Sequence, residues 1–472
     1  METEQAATTD YELHLAEKMR PIRLALRVAE NLMAHGVSTR DTVSQALDIT
    51  ETYCKEPVYF DASFNVITAS QYRGLYKDPL TLVMKVTYAA PNNMIVQELQ
   101  QLVRDIAKGM PLDDATARLD KIESSVASYP AWLRTAANAG MATGIVMLYT
   151  SSLTNIILTF IAAYTVDSLM RAVGRYRLPP FFIQALAAVT IISCAGLYVG
   201  LGQAEIWPFM NVNPTLVTVG GIMMLVAGLS LAATAQDAID EYYITASARL
   251  VKTAMLTVGI IMGVVITLSL LRDVTGLVIH TEYSPPTLSP LTLQIAGAAL
   301  AGACWAIYTQ SSRAAILWAG AVAASAYLLY AALLPAASIA LASGVASLAI
   351  GFSAAFIARL WKLPSIAIIN SAIIVLVPGY MLYRGLMHFV GTSSATMFVN
   401  GLMITISAVT IALAISAGAA LGTYIGRPFR SHIVRLYKYA PQLMPAPQQL
   451  AASRKKLPRM SNPTKKRPAS RD

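Results

Sequence analysis

The chain has 472 residues, 55% of them hydrophobic and only 13% charged, and its charges crowd into the first 130 residues and the last 50, a distribution that excludes an ordinary soluble globule. Apolar runs of about 20 residues, each suited to a hydrocarbon layer about 30 Å thick, fill the middle of the chain and place it in lipid. A formal net charge of +10 would suggest nucleic acid in a soluble protein; here it comes from the Pro-rich end RKKLPRMSNPTKKRPASR, too poor in apolar residues to fold and suited to anionic lipid.

After a polar lead, RLALRVAENLMAHG sets Leu24, Val28 and Leu32 beside Ala25, Ala29 and Met33 at helical spacing and closes on Gly36, which predicts one amphipathic helix. STRDTVSQALDITETYC opens on a Ser/Thr cap with Asp41 in its first turn and predicts a second. VYFD, FNVITAS and LTLVMKVTY read as three short strands of one antiparallel sheet. NNMIVQELQQLVRDIAKG, capped by Asn92 or Asn93 and stopped at Gly109, and PLDDATARLDKIESS return to helix. Residues 1–130 are therefore expected to form a small α+β domain, with no signal peptide ahead of it, that stays in the cytoplasm.

That domain carries no HExxH, GxSxG, P-loop or Rossmann pattern. Asp113 and Asp114 fit the positive end of a helix better than a catalytic pair. The histidines His14, His35, His280, His388 and His432 lack metal-ligand spacing, and Cys54, Cys194 and Cys304 are scattered small hydrophobes. No catalytic residue, metal or cofactor is expected, which sets a membrane-embedded enzyme behind a transporter. A membrane sensor signalling through the N-terminal domain stays open.

From Tyr129-Pro130-Ala131-Trp132 onward ten apolar runs follow, at 134–151, 153–172, 180–201, 213–235, 250–271, 291–309, 313–333, 336–358, 364–385 and 396–424. With the N-terminal domain inside, the inner loops hold Arg171, Arg175 and Arg177, then Arg249 and Lys252, then Arg313, then Arg359 and Lys362, then Arg427 and Arg430. The outer loops hold only Arg272 and Arg384 near their membrane ends, so the positive-inside rule favours ten spans with both termini cytoplasmic. Adding or removing one span would invert every later loop.

Internal symmetry follows from the fourth and ninth spans. Leu225-Val226-Ala227-Gly228-Leu229 echoes Leu376-Val377-Pro378-Gly379-Tyr380; each lies a similar distance after a proline, Pro214 or Pro364, and before a Gly-punctuated helix, Gly259 to Gly263 or Gly418 to Gly422. An offset of five spans means that the copies cross in opposite directions, which suits alternating access. The predicted fold is an all-α polytopic membrane protein in two inverted five-helix halves, 131–272 and 273–428, after an N-terminal α+β domain and before a basic disordered tail, 429–472.

In its HGVSTR, YPAW and RYRLPPFF segments, its run to Gln236-Asp237 and its LVPGYMLYRGL, the chain resembles the threonine/serine exporter family over nearly all its length. Family members usually carry Pro-Gly in the first copy too, where this sequence has Ala227-Gly228. The resemblance implies export of a small polar metabolite across the inner membrane, threonine or serine or else a dicarboxylate such as succinate, driven by the proton gradient.

Within that frame Pro378 and Gly379 can open the backbone of the ninth span, either as a lined site or as an ordinary kink. Gly228 is their counterpart. Asn370 and Ser371 lie two turns before Pro378, and Asn400 in the tenth span is a further candidate for substrate binding or gating. Asp237 is a candidate for proton coupling or else part of a wet loop opposite Arg249 and Lys252; Asp167 either relays protons or pairs with Arg171 one turn later. The expected partners are a small-molecule substrate and the bilayer, not nucleic acid, with self-association left open.

Overall fold

Helix begins earlier than the apolar pattern does. In the computed structural model α1 runs over Glu2–Ala34, through Pro21, because the polar lead is rich in Ala, Glu and Leu, which favour helix whether or not they are buried. The structure describes residues 2–426 apart from 75–76, 126–127, 177, 226–227, 277–287, 378, 380, 382–383, 386–387 and 389–394; residues 427–472, including the expected tail, lie outside the described residues.

Helix α2, Thr39–Tyr53, is capped by Ser38, whose side chain accepts from the Asp41 N–H. The strands β1 (Val58–Ser63), β2 (Val66–Gln71) and β3 (Leu80–Lys85) form an antiparallel meander in the order β1-β2-β3, with Phe60 opposite Ala69 and Ala69 opposite Leu82. Asn92 caps α3 (Asn93–Ile106) by accepting from the N–H groups of Met94 and Ile95. Gly109, at φ +101°, turns the chain as a left-handed glycine can, and α4 (Leu112–Ser125) follows with Asp113 and Asp114 in its first turn. Ile22, Leu26, Leu32, Ile49, Ile67, Leu99, Ile106 and Leu119 fuse these elements into one core, against which Ile366 of the apolar bundle also packs.

The bundle consists of α5 (Ala131–Val146), α6 (Leu153–Gly174), α7 (Pro180–Gln203), α8 (Pro214–Leu225), α9 (Gly228–Ile239), α10 (Tyr243–Thr275), α11 (Leu291–Tyr308), α12 (Arg313–Leu333), α13 (Ile339–Trp361), α14 (Ser365–Ile373) and α15 (Ala395–Gly426). Among the described residues seven of these helices are long and apolar enough to cross a membrane, and the bent pair α8–α9 makes an eighth. The other two predicted runs are represented by α5, with 16 residues, and α14, with nine, followed by a turn at 374–376. Large apolar side chains such as Leu153, Ile157 and Ile161 on α6, or Leu402, Ile406 and Leu413 on α15, face outward. The interior is rich in Ala and Gly, the small residues that let membrane helices approach closely.

Packing inside α5–α10 recurs inside α11–α15. Helix α5 packs on α6 as α11 does on α12, α7 on α10 as α13 on α15, and α8 on α6 and α7 as α14 on α12 and α13. The glycines of the last helix do the same work in both: a Cβ on Gly259 would come within 2.7 Å of the Phe181 carbonyl oxygen and one on Gly263 would overlap that of Ala185, while Cβ atoms on Gly418 and Gly422 would overlap those of Gly344 and Leu348. In each case residue numbers rise together, so the paired helices are parallel. Across the two sets, α5 and α11 are antiparallel: Gly140 meets Cys304, and Gly144 meets Gly297 reciprocally.

Candidate functional site

Helix α8 has nine of its twelve residues buried, which puts it inside the bundle and not at its lipid face. It ends at Leu225; α9 starts at Gly228, and the axes of Pro214–Leu225 and Ser230–Ile239 diverge by 41°. Ala227 lies outside the described residues. In the second set α14 stops at Ile373, and Ile373, Ile374, Val375 and Leu376 continue it as a fully buried turn. Pro378 lies outside the described residues, but Gly379 is placed, and a Cβ there would stand 2.7 Å from Cε and 2.9 Å from Cγ of Met223 on α8. The two interruptions therefore meet across the centre. Met224 packs against both the Ala139–Ala142–Ala163 cluster and the larger core cluster to which Ile373, Ile374, Val375 and Leu376 belong.

Of the remaining candidates on these spans, Ser371 is fully buried but spends its hydroxyl on the Ala367 carbonyl of its own helix, at 2.6 Å. Asn370 and Asn400 are exposed. Gly228 sits at the first turn of α9.

Asp167 and Asp237 anchor two separate buried polar clusters. Asp167, 7% exposed, accepts from Asn138 Nδ2 at 2.8 Å and from Arg171 Nη2 at 2.7 Å, and Arg171 Nη2 also donates to Thr135 Oγ1 at 2.5 Å. The pairing with Arg171 one turn later is thus made, with α5 supplying the rest. Arg134 and Tyr308 are within electrostatic reach of this cluster. Asn138 Oδ1, Arg171 Nε and Nη1 and Arg134 Nε are buried without a hydrogen-bond partner.

Asp237 is 1% exposed, so the wet-loop alternative fails: α2 covers it. Its Oδ1 accepts from Thr39 Oγ1 at 3.1 Å and its Oδ2 lies 3.1 Å from Arg249 Nη1, while Arg40 pairs with Asp240 at 3.1 Å. Thr39 and Arg40 belong to the HGVSTR segment, whose helix start thereby grips the α9–α10 turn. Thr245 strengthens the grip by accepting from the Phe64 N–H at 3.0 Å, and Lys252 lies 5.4 Å from the centre of the Tyr88 ring. Burial pushes the Tyr88 hydroxyl above its ordinary pKa, against the pull of Arg249. A second grip holds the α11–α12 turn: Asn93 donates to Thr309 and Ser311 at 3.0 and 2.9 Å, and Tyr129 donates to the Ser311 carbonyl at 2.8 Å. Both turns therefore lie on the side of the bundle that carries the α+β domain.

Sequence reasoning did not single out Asn138, Thr135, Thr39 or Met223. The available signal for Asn138 was a lone amide inside the small-residue run TAANAGMATG; for Met223 there was none. Among the described residues no three His, Cys, Asp or Glu side chains come together as a metal site.

Interrupted helices meeting inside a bundle of long apolar helices define a multi-pass membrane protein. Residues 23–271 match the family model of the threonine/serine exporters, and residues 294–424 match a second model of that name. The chain belongs to the threonine/serine exporter family. It is 28% identical over 86% of its length to a Mycobacterium tuberculosis protein named "Probable threonine/serine exporter", covering 76% of that protein. It is 26% identical over 87% of its length to the threonine/serine exporter of Corynebacterium glutamicum, covering 83% of that chain. No solved structure matches it.

Proposed function

We propose that the protein is a secondary transporter that exports threonine and serine across the inner membrane, driven by the proton gradient, by alternating access between two inverted five-helix halves. The observation that carries this reading is the meeting of the two interrupted segments at Met223 and Gly379, since broken helices facing one another at mid-bundle are how such carriers expose backbone to a substrate. The recurring helix pairs, parallel within each set and antiparallel between α5 and α11, support inverted halves, and the two matched stretches divide the chain at the same place, between 271 and 294.

Ten spans, with α5 and the stretch from α14 onward as the two short or interrupted ones, keep both gripped turns on the cytoplasmic side, as the Lys and Arg distribution requires. The domain of residues 1–130 then acts from the cytoplasm as a gating element, and Asp167 and Asp237 are the carboxylates available for proton coupling. Counterflow in proteoliposomes with labelled threonine, serine and succinate tests the reading. Threonine and serine should exchange, faster with an imposed proton gradient; movement of succinate alone would assign a dicarboxylate instead, and movement of none would end the transport reading.

A further inference from the structure

The Arg171 cluster has open hydrogen-bonding positions of both signs. Asn138 is 5% exposed and its Nδ2 donates to Asp167, a carboxylate that can only accept, so its Oδ1 is the atom left over. Arg171 spends only Nη2 on Asp167 and Thr135; its Nε and Nη1, and Arg134 Nε, are buried donors with no partner. Buried polar atoms are rarely left so, and here unpaired donors and an unpaired acceptor flank one carboxylate.

The cluster also lies beside the interrupted core. Met224 packs against the cluster that Ala142 and Ala163 form with Ala139; Asn138 is four residues before Ala142 and Asp167 four residues after Ala163. Both polar side chains therefore lie one helical turn, about 5.4 Å, from those alanines on the same faces of α5 and α6.

We propose that this cluster is the head-group site for an α-amino acid zwitterion: the carboxylate docks on the free N–H groups of Arg171 and Arg134, and the ammonium docks on Asn138 Oδ1 beside Asp167. The proposal rests on the export reading and extends it by naming which side chains hold which end of the substrate. It also explains why an ion pair that is already neutral keeps an asparagine and a second arginine around it. Hydrogen bonds to charged groups discriminate by about 10- to 100-fold when one partner is missing, so removing one substrate charge or its protein partner is measurable.

The experiment uses the full chain in proteoliposomes and measures competition against labelled threonine counterflow by three compounds. These are threonine itself, 3-hydroxybutyrate, which lacks the ammonium, and 1-amino-2-propanol, which lacks the carboxylate. In the unmodified protein each analogue should compete about 10- to 100-fold more weakly than threonine. Arg171→Lys, which keeps a cation for Asp167, should weaken threonine and 3-hydroxybutyrate at least about 10-fold and leave 1-amino-2-propanol unchanged. Asn138→Ala should weaken threonine and 1-amino-2-propanol and leave 3-hydroxybutyrate unchanged. Asn138→Gln, which keeps an amide but displaces its oxygen, should repeat that pattern if the alanine variant is poorly folded. Equal loss for all three compounds, or no change for any, overturns the head-group assignment while transport by the unmodified protein keeps the export reading intact. Absence of threonine counterflow in the unmodified protein overturns both.

Discussion

Replacing Gly379 by leucine adds four carbon atoms where the first alone would lie 2.7 Å from Cε and 2.9 Å from Cγ of Met223. Comfortable carbon contacts need about 3.5–4.0 Å, so even a methyl group is about 1 Å too close. Met223 can swing its terminal Cε away, but its Cγ is tied to buried α8 and moves little. Overpacking of this kind costs about 1–3 kcal/mol, enough to shift the balance between two arrangements of the bundle by about 5- to 150-fold. Gly379→Leu should therefore insert normally yet lose threonine counterflow, with Gly379→Ala intermediate. Adding Met223→Ala removes Cγ, Sδ and Cε and should restore flux to the leucine variant. Full flux in Gly379→Leu, or a loss that Met223→Ala does not relieve, would show that the contact between the two interruptions has no part in transport.

Arg249→Met should strip Asp237 of its ion-pair partner and cost about 3–5 kcal/mol, the usual penalty for an uncompensated buried charge; Arg249→Met with Asp237→Leu should recover most of it, as read by thermal unfolding of the purified chain. Burial holds the His35 imidazole below its ordinary pKa, opposed by its hydrogen bond with the Ala90 carbonyl, so the unfolded chain takes up more protons. Stability is complete above the unfolded pKa of about 6.5 and declines as pH falls from there toward the folded-state pKa. His35→Gln should flatten that decline between pH 7 and pH 5, measured by protease resistance of residues 15–125, and an unchanged profile would locate the acid sensitivity elsewhere.

Local patterns carried the helices and strands of residues 1–130, because each of these elements announces itself. Ser38 and Asn92 cap their helices, Gly36 and Gly109 take up positive φ, and the three strands pair in chain order. The close packing of the last helix of each set was legible too, through Gly259, Gly263, Gly418 and Gly422, since close helix approach leaves a mark at fixed spacing. What one sequence could not reveal is pairing at long range. Asp237 finds Thr39, 198 positions away, and nothing near either residue says so; hydropathy alone left Asp237 between a site and a wet loop. Asn138 was lost among alanines because a span is recognised by its apolar residues, and the exposed Asn370 and Asn400 drew attention because polarity in a span says nothing about which way a side chain faces. Helix α1 extends beyond its predicted start for the complementary reason, that a helix needs no buried face to form.

The α+β domain holds two turns at once, 237–245 through Thr39, Arg40 and Phe64, and 309–312 through Asn93 and Tyr129. These turns belong to different sets of helices, so the domain bridges the two sets on its side of the bundle, like a caliper with one jaw on each. Under the alternating-access proposal, any rotation of one set against the other spreads the jaws, breaks one of them, or carries the domain along. On that proposal the energy difference between the bundle's end states includes the stiffness of a three-stranded sheet and four helices outside the apolar bundle, and substitutions in their core, at Leu99 or Ile49 for instance, would alter how far the bundle opens without touching it.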